Sequence, residues 1–326
     1  VNGKWRFFIS RLIQMIFTLW VIATILFFLF RLMPGNPLAA YIDPTFTKEQ
    51  QDILLQQFGL DKPLWQQYFI YFGNLLQGQL GDSFFFKEPV LEIIWRVFPN
   101  TIYLMIISLL VAYTIGTLGG VLLAWKRGTK TETTGIVLTL LTRSAPQFWV
   151  GMVVLAIFSF HLNWFPSAGA STAGTVYNSE LEKLFSLDFY HHLFLPGLTL
   201  SIYLLGLPLL LMRSNMMDVM GEAYVDMAHM RGLKDWRIML KYAARNAALP
   251  VITAMAVGIG YAIGGNVVIE TVFSWPGLGR LLVNAVTSSD YPLAQGAFIL
   301  IAAIMVFMNF IADILYSLLD PRVVRR

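Results

Sequence analysis

Gly128-Thr-Lys-Thr131 is the closest approach in this sequence to a phosphate-binding loop, and its spacing fails. The Lys stands one place late, and position 123 is Leu123 rather than Gly. Gly258-Ile-Gly-Tyr-Ala-Ile-Gly264 misses the dinucleotide fingerprint by one residue and lies within an apolar run. There is no Cys, which removes disulfides, thiolate nucleophiles and thiolate metal sites. No His-Glu-x-x-His occurs; His191 and His192 are adjacent, and neighbours do not face each other on a helix, so they read as a polar loop rather than a metal site. Ionisable groups within apolar runs are few: Arg143, Glu270 and, most plainly, Asp313. A charge at a span centre costs about 2.5–3.5 kcal/mol. Asp313 lies toward one end, where a partner from another chain would relieve that cost. Proton or sodium relays use several intramembrane acids and bases, and an intramembrane enzyme needs a nucleophile or metal constellation; neither pattern is present.

What remains is a docking chemistry. Gly221 to Pro250 is a long charged interval between two apolar runs. Glu222 to Arg231 is rich in helix formers, and Gly232 suits the left-handed residue that ends a helix. Asp235 can cap a second helix from Trp236, with Pro250 at the start of the next apolar run. On the first helix Glu222, Asp226 and His229 make a polar stripe, and Ala223, Met227 and Met230 an apolar one. Ala223 and Ala228 are small enough to admit another backbone. Two readings follow from this pattern: a docking element for a soluble partner, or a basic loop lying on anionic headgroups.

The elements that position this loop are membrane spans. The chain has 326 residues, 57% hydrophobic and only 13% charged, against about 25% charged in soluble domains. Lys4, Arg6 and Arg11 precede an apolar run from Leu12 to Phe30, longer than a secretory h-region, which predicts an uncleaved first span. Arg31 to Phe98 is polar and aromatic. Thr47-Lys-Glu-Gln50 has capping-box form and predicts a short helix toward Phe58. Asp61 and Pro63 open another, carrying Trp65, Tyr68, Phe69, Phe72 and Leu75, suited to the membrane interface or to a small soluble cap. Gly78 to Ser83 then breaks the chain. Further spans are predicted at Pro99–Trp125, Gly135–Phe160, Leu193–Met216, Val251–Val272 and Leu293–Leu319, six in all. The expected fold is therefore all-α. Residues 1–98 form a first span plus extracytoplasmic interfacial helices, and residues 99–326 a core of five spans with the loop at 221–250. Gly116-Thr-Leu-Gly-Gly120 and Gly260-Tyr-Ala-Ile-Gly264 are small-residue patterns that let helices pack closely. Gly258, Gly260, Gly264 and Asp313 are candidates for lining a path or for packing. With the N-terminus inside, 16 of the 23 Lys and Arg residues fall in inner segments. That excess places the loop and both termini in the cytoplasm.

Glu222-Ala-Tyr224, Ala228, Gly232, Arg245-Asn-Ala247 and Leu249-Pro250 resemble the EAA coupling loop of ABC-importer membrane subunits, in the dipeptide/oligopeptide branch. Tyr224 replaces the second Ala of the general pattern. Arg31-Leu-Met-Pro-Gly-Asn-Pro37 is similar to the family's Arg-x-x-Pro-Gly-Asp-Pro, with Asn36 for Asp. Gly59–Leu64, Gly73–Gly78, Phe98–Ile102, Phe273-Ser-Trp-Pro-Gly-Leu-Gly279, Asp290-Tyr-Pro292 and Leu319–Arg322 also resemble it, in order along nearly the whole chain. The resemblance implies the type I ABC importer permease fold: a non-catalytic, multi-pass bacterial cell-membrane subunit forming half of a translocation path. It implies coupling to an ATPase through Glu222, Ala223, Tyr224, Asp226, Ala228, His229, Arg231 and Gly232, with Arg245, Asn246 and Pro250 at the loop end. It further implies a second homologous permease in a heterodimer, two ABC ATPase subunits that bind ATP and Mg, an extracytoplasmic solute-binding protein, surrounding lipid, and peptide cargo or, alternatively, a nickel chelate or other small solute. No cofactor is expected in this chain, and no nucleic acid. The reading from another class, an ion-coupled secondary transporter or channel, predicts repeated spans and buried charges that the sequence does not display clearly.

Overall fold

The computed structural model describes residues 2–32, 61–263 and 266–319. The helix predicted over Thr47–Phe58, most of Arg31–Pro37, Gly264 and the end of Leu319–Arg322 lie outside them. Among the described residues the regular structure is helical, with one isolated antiparallel bridge between Asp82 and Pro89 and an irregular stretch over 162–179. The first helices are α1 (Asn2–Arg31), α2 (Leu64–Leu76), α3 (Val90–Trp125) and α4 (Lys130–Ser144). Next comes α5 (Gln147–Val154), which widens into a π-helical stretch at Leu155–His161, followed by α6 (Glu180–Leu184), α7 (Leu187–Leu204) and α8 (Gly206–Met220). Four helical runs are long and apolar enough to cross a bilayer: Trp5–Arg31, Val90–Trp125, Leu187–Met220 and Tyr291–Ile311.

Two expected spans are divided. Gly135–Phe160 is not one rod: α4 and α5 meet at 102°, and count as a fifth crossing only if taken together. The cause is Pro146, which lacks an N–H and holds Ala145 in an extended conformation (φ −70°, ψ 135°). The run Val251–Val272 is likewise two helices, ending and restarting around Asn266, whose side chain caps the second piece by accepting from the Ile269 N–H at 3.0 Å. The helix predicted from Pro99 begins earlier, at Val90, with Pro99 inside it.

Close packing follows the small residues. A Cβ on Gly116 would stand 2.8 Å from Pro208 Cγ, and one on Gly120 would stand 2.5 Å from the Leu209 carbonyl, so these glycines let α3 and α8 touch through their backbones. On α2, the Tyr68 and Tyr71 rings pack on Phe27 of α1 at 5.3 and 5.4 Å. Its Trp65 and Phe69 point outward. The pair His191–His192 sits on the first turns of α7 rather than in a loop. His191 Nε2 lies 2.8 Å from the Trp164 carbonyl and His192 Nδ1 2.9 Å from the Asp188 carbonyl.

Candidate functional site: the loop between two spans

The 221–250 interval is built as two helical pieces folded on each other. Glu222 stands extended at the N-cap, without a side-chain cap bond, and α9 (Ala223–Met230) follows. Gly232 then takes φ +68°, the left-handed turn expected of it. The chain restarts as α10 (Asp235–Arg237), one residue earlier than predicted, with Lys234 rather than Asp235 in the cap position and no side-chain cap bond. It continues as a π-helical stretch over Ile238–Ala244 and as α11 (Arg245–Ala247), and leads into α12 (Leu249–Ile263). The remaining helices are α13 (Val267–Val272), α14 (Leu278–Thr287) and α15 (Tyr291–Leu319).

The two faces of α9 differ in kind. Val225 and Ala228 are buried against Ile238, with Trp125, Val219, Leu233 and Tyr242 around them. Ala228, expected to admit another backbone, is only 3% exposed and serves this internal seam. Its smallness lets α9 lie close to its own return helix. The outward face carries Glu222, Ala223, Asp226, Met227, His229 and Met230, with Arg231 following, all exposed. Met227 is 50% and Met230 86% exposed, an unusual cost for apolar side chains in water unless something covers them.

Tyr224 ties the loop to the next span. Asn246 Nδ2 donates to its hydroxyl at 2.7 Å and to the Tyr242 carbonyl at 3.2 Å, and the Tyr224 hydroxyl donates to that same carbonyl at 3.4 Å. Arg245 and Pro250 stay exposed at the loop end. On the other side Asn215 of α8 donates to the Ala247 carbonyl at 3.2 Å. Met212 and Met216, fully buried, pack with Ala243, Ala244, Ala247 and Val251. These contacts link the end of the loop to both α8 and α12.

Around the false phosphate loop, Glu132 occupies the place an anion would take. Its N–H bonds back to Thr129 Oγ1 at 3.4 Å, its Oε2 accepts from the Gly128 N–H at 2.7 Å, and its Oε1 accepts from Arg213 Nε at 2.9 Å. This is a variant of the capping box in which Glu132 reaches the N–H of Gly128, one residue before the Thr129 N-cap, and it is closed by an ion pair that joins α4 to α8. The candidates for path or packing occupy different settings. Gly258 packs under Tyr113, whose hydroxyl would lie 3.2 Å from a Cβ, and Gly260 sits within α12. Asp313 pairs with Arg11 of α1 at 3.3 Å, an intrachain partner where one from another chain was expected.

On the far side are polar contacts that local pattern does not reveal, in which Asn100, Trp275, Pro276 and Asp290 of the family-like motifs meet residues outside them, Lys183 and Ser83 to Phe85. Trp275 Nε1 donates to the Asn100 carbonyl at 3.0 Å, and Asn100 Nδ2 donates to the Pro276 carbonyl at 2.8 Å. Lys183 Nζ donates to Asn100 Oδ1. Burial pushes the Lys183 ammonium below its ordinary pKa, with nearby Glu180 opposing that shift. A second buried acid, Asp290, accepts from the Phe84 and Phe85 N–H groups at 3.1 Å and from the Ser83 hydroxyl. The signal was an acid beside an apolar run, which the sequence alone assigns no partner.

Comparisons with known proteins agree with this architecture. The family described as "Binding-protein-dependent transport system inner membrane component" matches residues 116–325, and its N-terminal companion matches residues 4–105. The chain is 36% identical to the di/tripeptide transport system permease protein of Pseudomonas aeruginosa, over 97% of this chain and 98% of that protein. It is 35% identical to an oligopeptide transport system permease protein of Bacillus subtilis, over 97% and 98%. It is 32% identical to the glutathione transport system permease protein of Escherichia coli K12, over 98% of each.

Proposed function

The chain belongs to the family of binding-protein-dependent transport system inner membrane components, of the dipeptide/oligopeptide ABC permease type, and from that premise we propose that it forms half of a peptide-import path driven through its 221–250 loop. The observation that carries this reading is the two-sided α9: one face sealed to its own return helix, the other presenting Met227 and Met230 to a partner. In this reading α9 docks on an ABC ATPase subunit, which binds ATP and Mg. Closure of two such subunits moves α9, and the Tyr224–Asn246 and Asn215–Ala247 bonds carry that movement into α12 and α8.

The remaining parts of the assembly follow from the same reading. The chain crosses the membrane six times, counting α4 with α5 and α12 with α13: the first span belongs to the N-terminal unit of residues 1–98 and the other five to the core of residues 99–326. Both termini and the loop face the cytoplasm of a bacterial cell membrane. A second, homologous permease completes the path, and an extracytoplasmic binding protein delivers cargo. The relatives' names favour peptides as that cargo over nickel chelates.

The absence of Cys makes the test direct. A single Met230→Cys substitution is expected to crosslink to an ATPase chain in membranes and to resist impermeant thiol reagents applied outside intact cells. Labelling from outside would end the docking account.

A further inference from the structure

Glu270 is fully buried, and the docking reading gives it no task. It lies on α13, the outer piece of the span whose inner piece, α12, begins at the docking loop. Its Oε1 accepts from the Thr101 hydroxyl of α3 at 2.8 Å, and its Oε2 from the Arg280 N–H at 3.0 Å. Thr101 Oγ1 in turn accepts from the Leu278 N–H at 2.7 Å. The carboxylate thus sits in the amide-lined start of α14, where buried negative charge is best tolerated. The fit leaves no slack. A Cβ on Gly277 would stand 2.5 Å from Glu270 Cδ, and one on Gly279 would stand 3.0 Å from Oε2. Between Glu270 and Gly277 the turn places Ser274 at φ +48°, a conformation a non-glycine residue holds only when its surroundings impose it. The Glu270 carbonyl accepts from the Trp275 N–H at 2.8 Å, and Trp275 and Asn100 exchange the further bonds already described.

The two pieces of this span are anchored very differently. Ile269, Phe273 and Trp275 are sealed into a core with Leu104, Met105, Phe189 and Leu193. On α12, Val251 is buried with Met212 and Met216, and Ala254, Met255 and Ile259 pack against the same apolar cluster, while Leu249 is 64% and Ile252 60% exposed. Both pieces meet α3, but by different chemistry: the outer piece and the turn after it through buried hydrogen bonds at Thr101 and Asn100, the inner piece through close packing of Gly258 under Tyr113.

We propose that Glu270 is a positioning residue that pins α13 and α14 to the outer end of α3, making that end the fixed fulcrum about which the docking loop swings α12. A span free at both ends would drift when pushed, whereas one fixed at its far end turns the same push into a tilt. This rests on the docking reading above, and the experiment separates the two.

In the complete complex with its ATPase subunits and binding protein, spin labels go on two introduced cysteine pairs at exposed positions. The outer pair is Trp95→Cys with Val286→Cys, and the inner pair is Leu122→Cys with Leu249→Cys. Between nucleotide-free and ATP-trapped states, the outer distance is expected to stay within about 2 Å while the inner one changes by more. Thr101→Val keeps the side-chain shape but removes the hydroxyl. It is expected to broaden the outer distance distribution and to raise ATP hydrolysed per solute imported at least about fivefold; Thr101→Ser restores both. An outer pair that moves as far as the inner one overturns the fulcrum and leaves docking intact. So does an unchanged ATP-to-solute ratio in Thr101→Val. An inner pair silent to ATP defeats the docking reading, and the fulcrum with it.

Discussion

Replacing Met227 and Met230 together with Ala strips the outward face of α9 while leaving its inward seam untouched. Full burial of a Met side chain contributes about 1.5–3 kcal/mol. Met230 is 86% exposed before docking and so has nearly all of that to gain, and Met227 at 50% has about half. A dry contact would lose roughly 2–4 kcal/mol, and at 1.4 kcal/mol per decade the ATPase subunit should bind roughly 30- to 700-fold more weakly. Both side chains project outward, so the permease itself should melt at its usual temperature, and Ala is a good helix former. The assay is titration of ATPase subunits onto the permease in lipid nanodiscs, with Lys241→Ala, exposed on the return helix, as the control. A loss no larger than about twofold, the range of an ordinary surface change near 0.5 kcal/mol, would refute the assignment of this face as the contact.

Three further outcomes follow from the same geometry. Ala228→Leu should overpack the seam against Val225 and Ile238 by about 1–3 kcal/mol and raise tryptic cleavage at Arg231 and Lys234, without disturbing membrane insertion. Tyr224→Phe removes the hydroxyl that Asn246 reaches at 2.7 Å. A net loss of about 0.5–1.5 kcal/mol should leave assembly intact while solute uptake falls against unchanged ATP hydrolysis, read in proteoliposomes. Gly120→Ala places a Cβ 2.5 Å from the Leu209 carbonyl and should lower the thermal midpoint, whereas Gly73→Ala, with nothing within 4 Å, should hold or raise it; a thermal shift series in detergent checks both.

What the sequence made legible was whatever depends on local pattern. Gly232 had to end a helix because few other residues accept a positive φ, and it does so at +68°. The stripe of Ala223, Met227 and Met230 had to lie on one face because helical periodicity places it there. The spacing of Gly116 and Gly120 announced a close helix contact, although not that α8 would fill it. What stayed hidden depends on partners distant in the chain. Ala228 reads as a docking residue until Ile238 folds back over it. Asp313 reads as needing a partner from another chain until Arg11, some 300 positions away, meets it at 3.3 Å. Pro146 was visible, but hydropathy averages across a proline, so one apolar run concealed two helices at 102°.

The charges show a further regularity. Glu132, Glu270 and Asp290 are all buried, and each accepts hydrogen bonds from backbone N–H groups at a turn or helix start. Glu132 and Asp290 each take a local N–H, from Gly128 and Leu293, but all three carboxylates also bond a segment far along the chain: Glu132 to Arg213, Glu270 to Thr101 and Asp290 to Phe84. In an apolar protein, a carboxylate that loses such donors faces a large desolvation cost, so these contacts resist opening far more than the apolar packing around them. The loop is built on the opposite principle. Its link to α12 runs through neutral groups, Tyr224 and Asn246, of which Asn246 remains exposed to water and can exchange partners at little cost. On the docking reading, a chain that holds its frame while one element moves needs both kinds of joint: Glu270 and Asp290 stiffen the side far from the loop, and Glu132 ties α4 to α8 on the loop's own side.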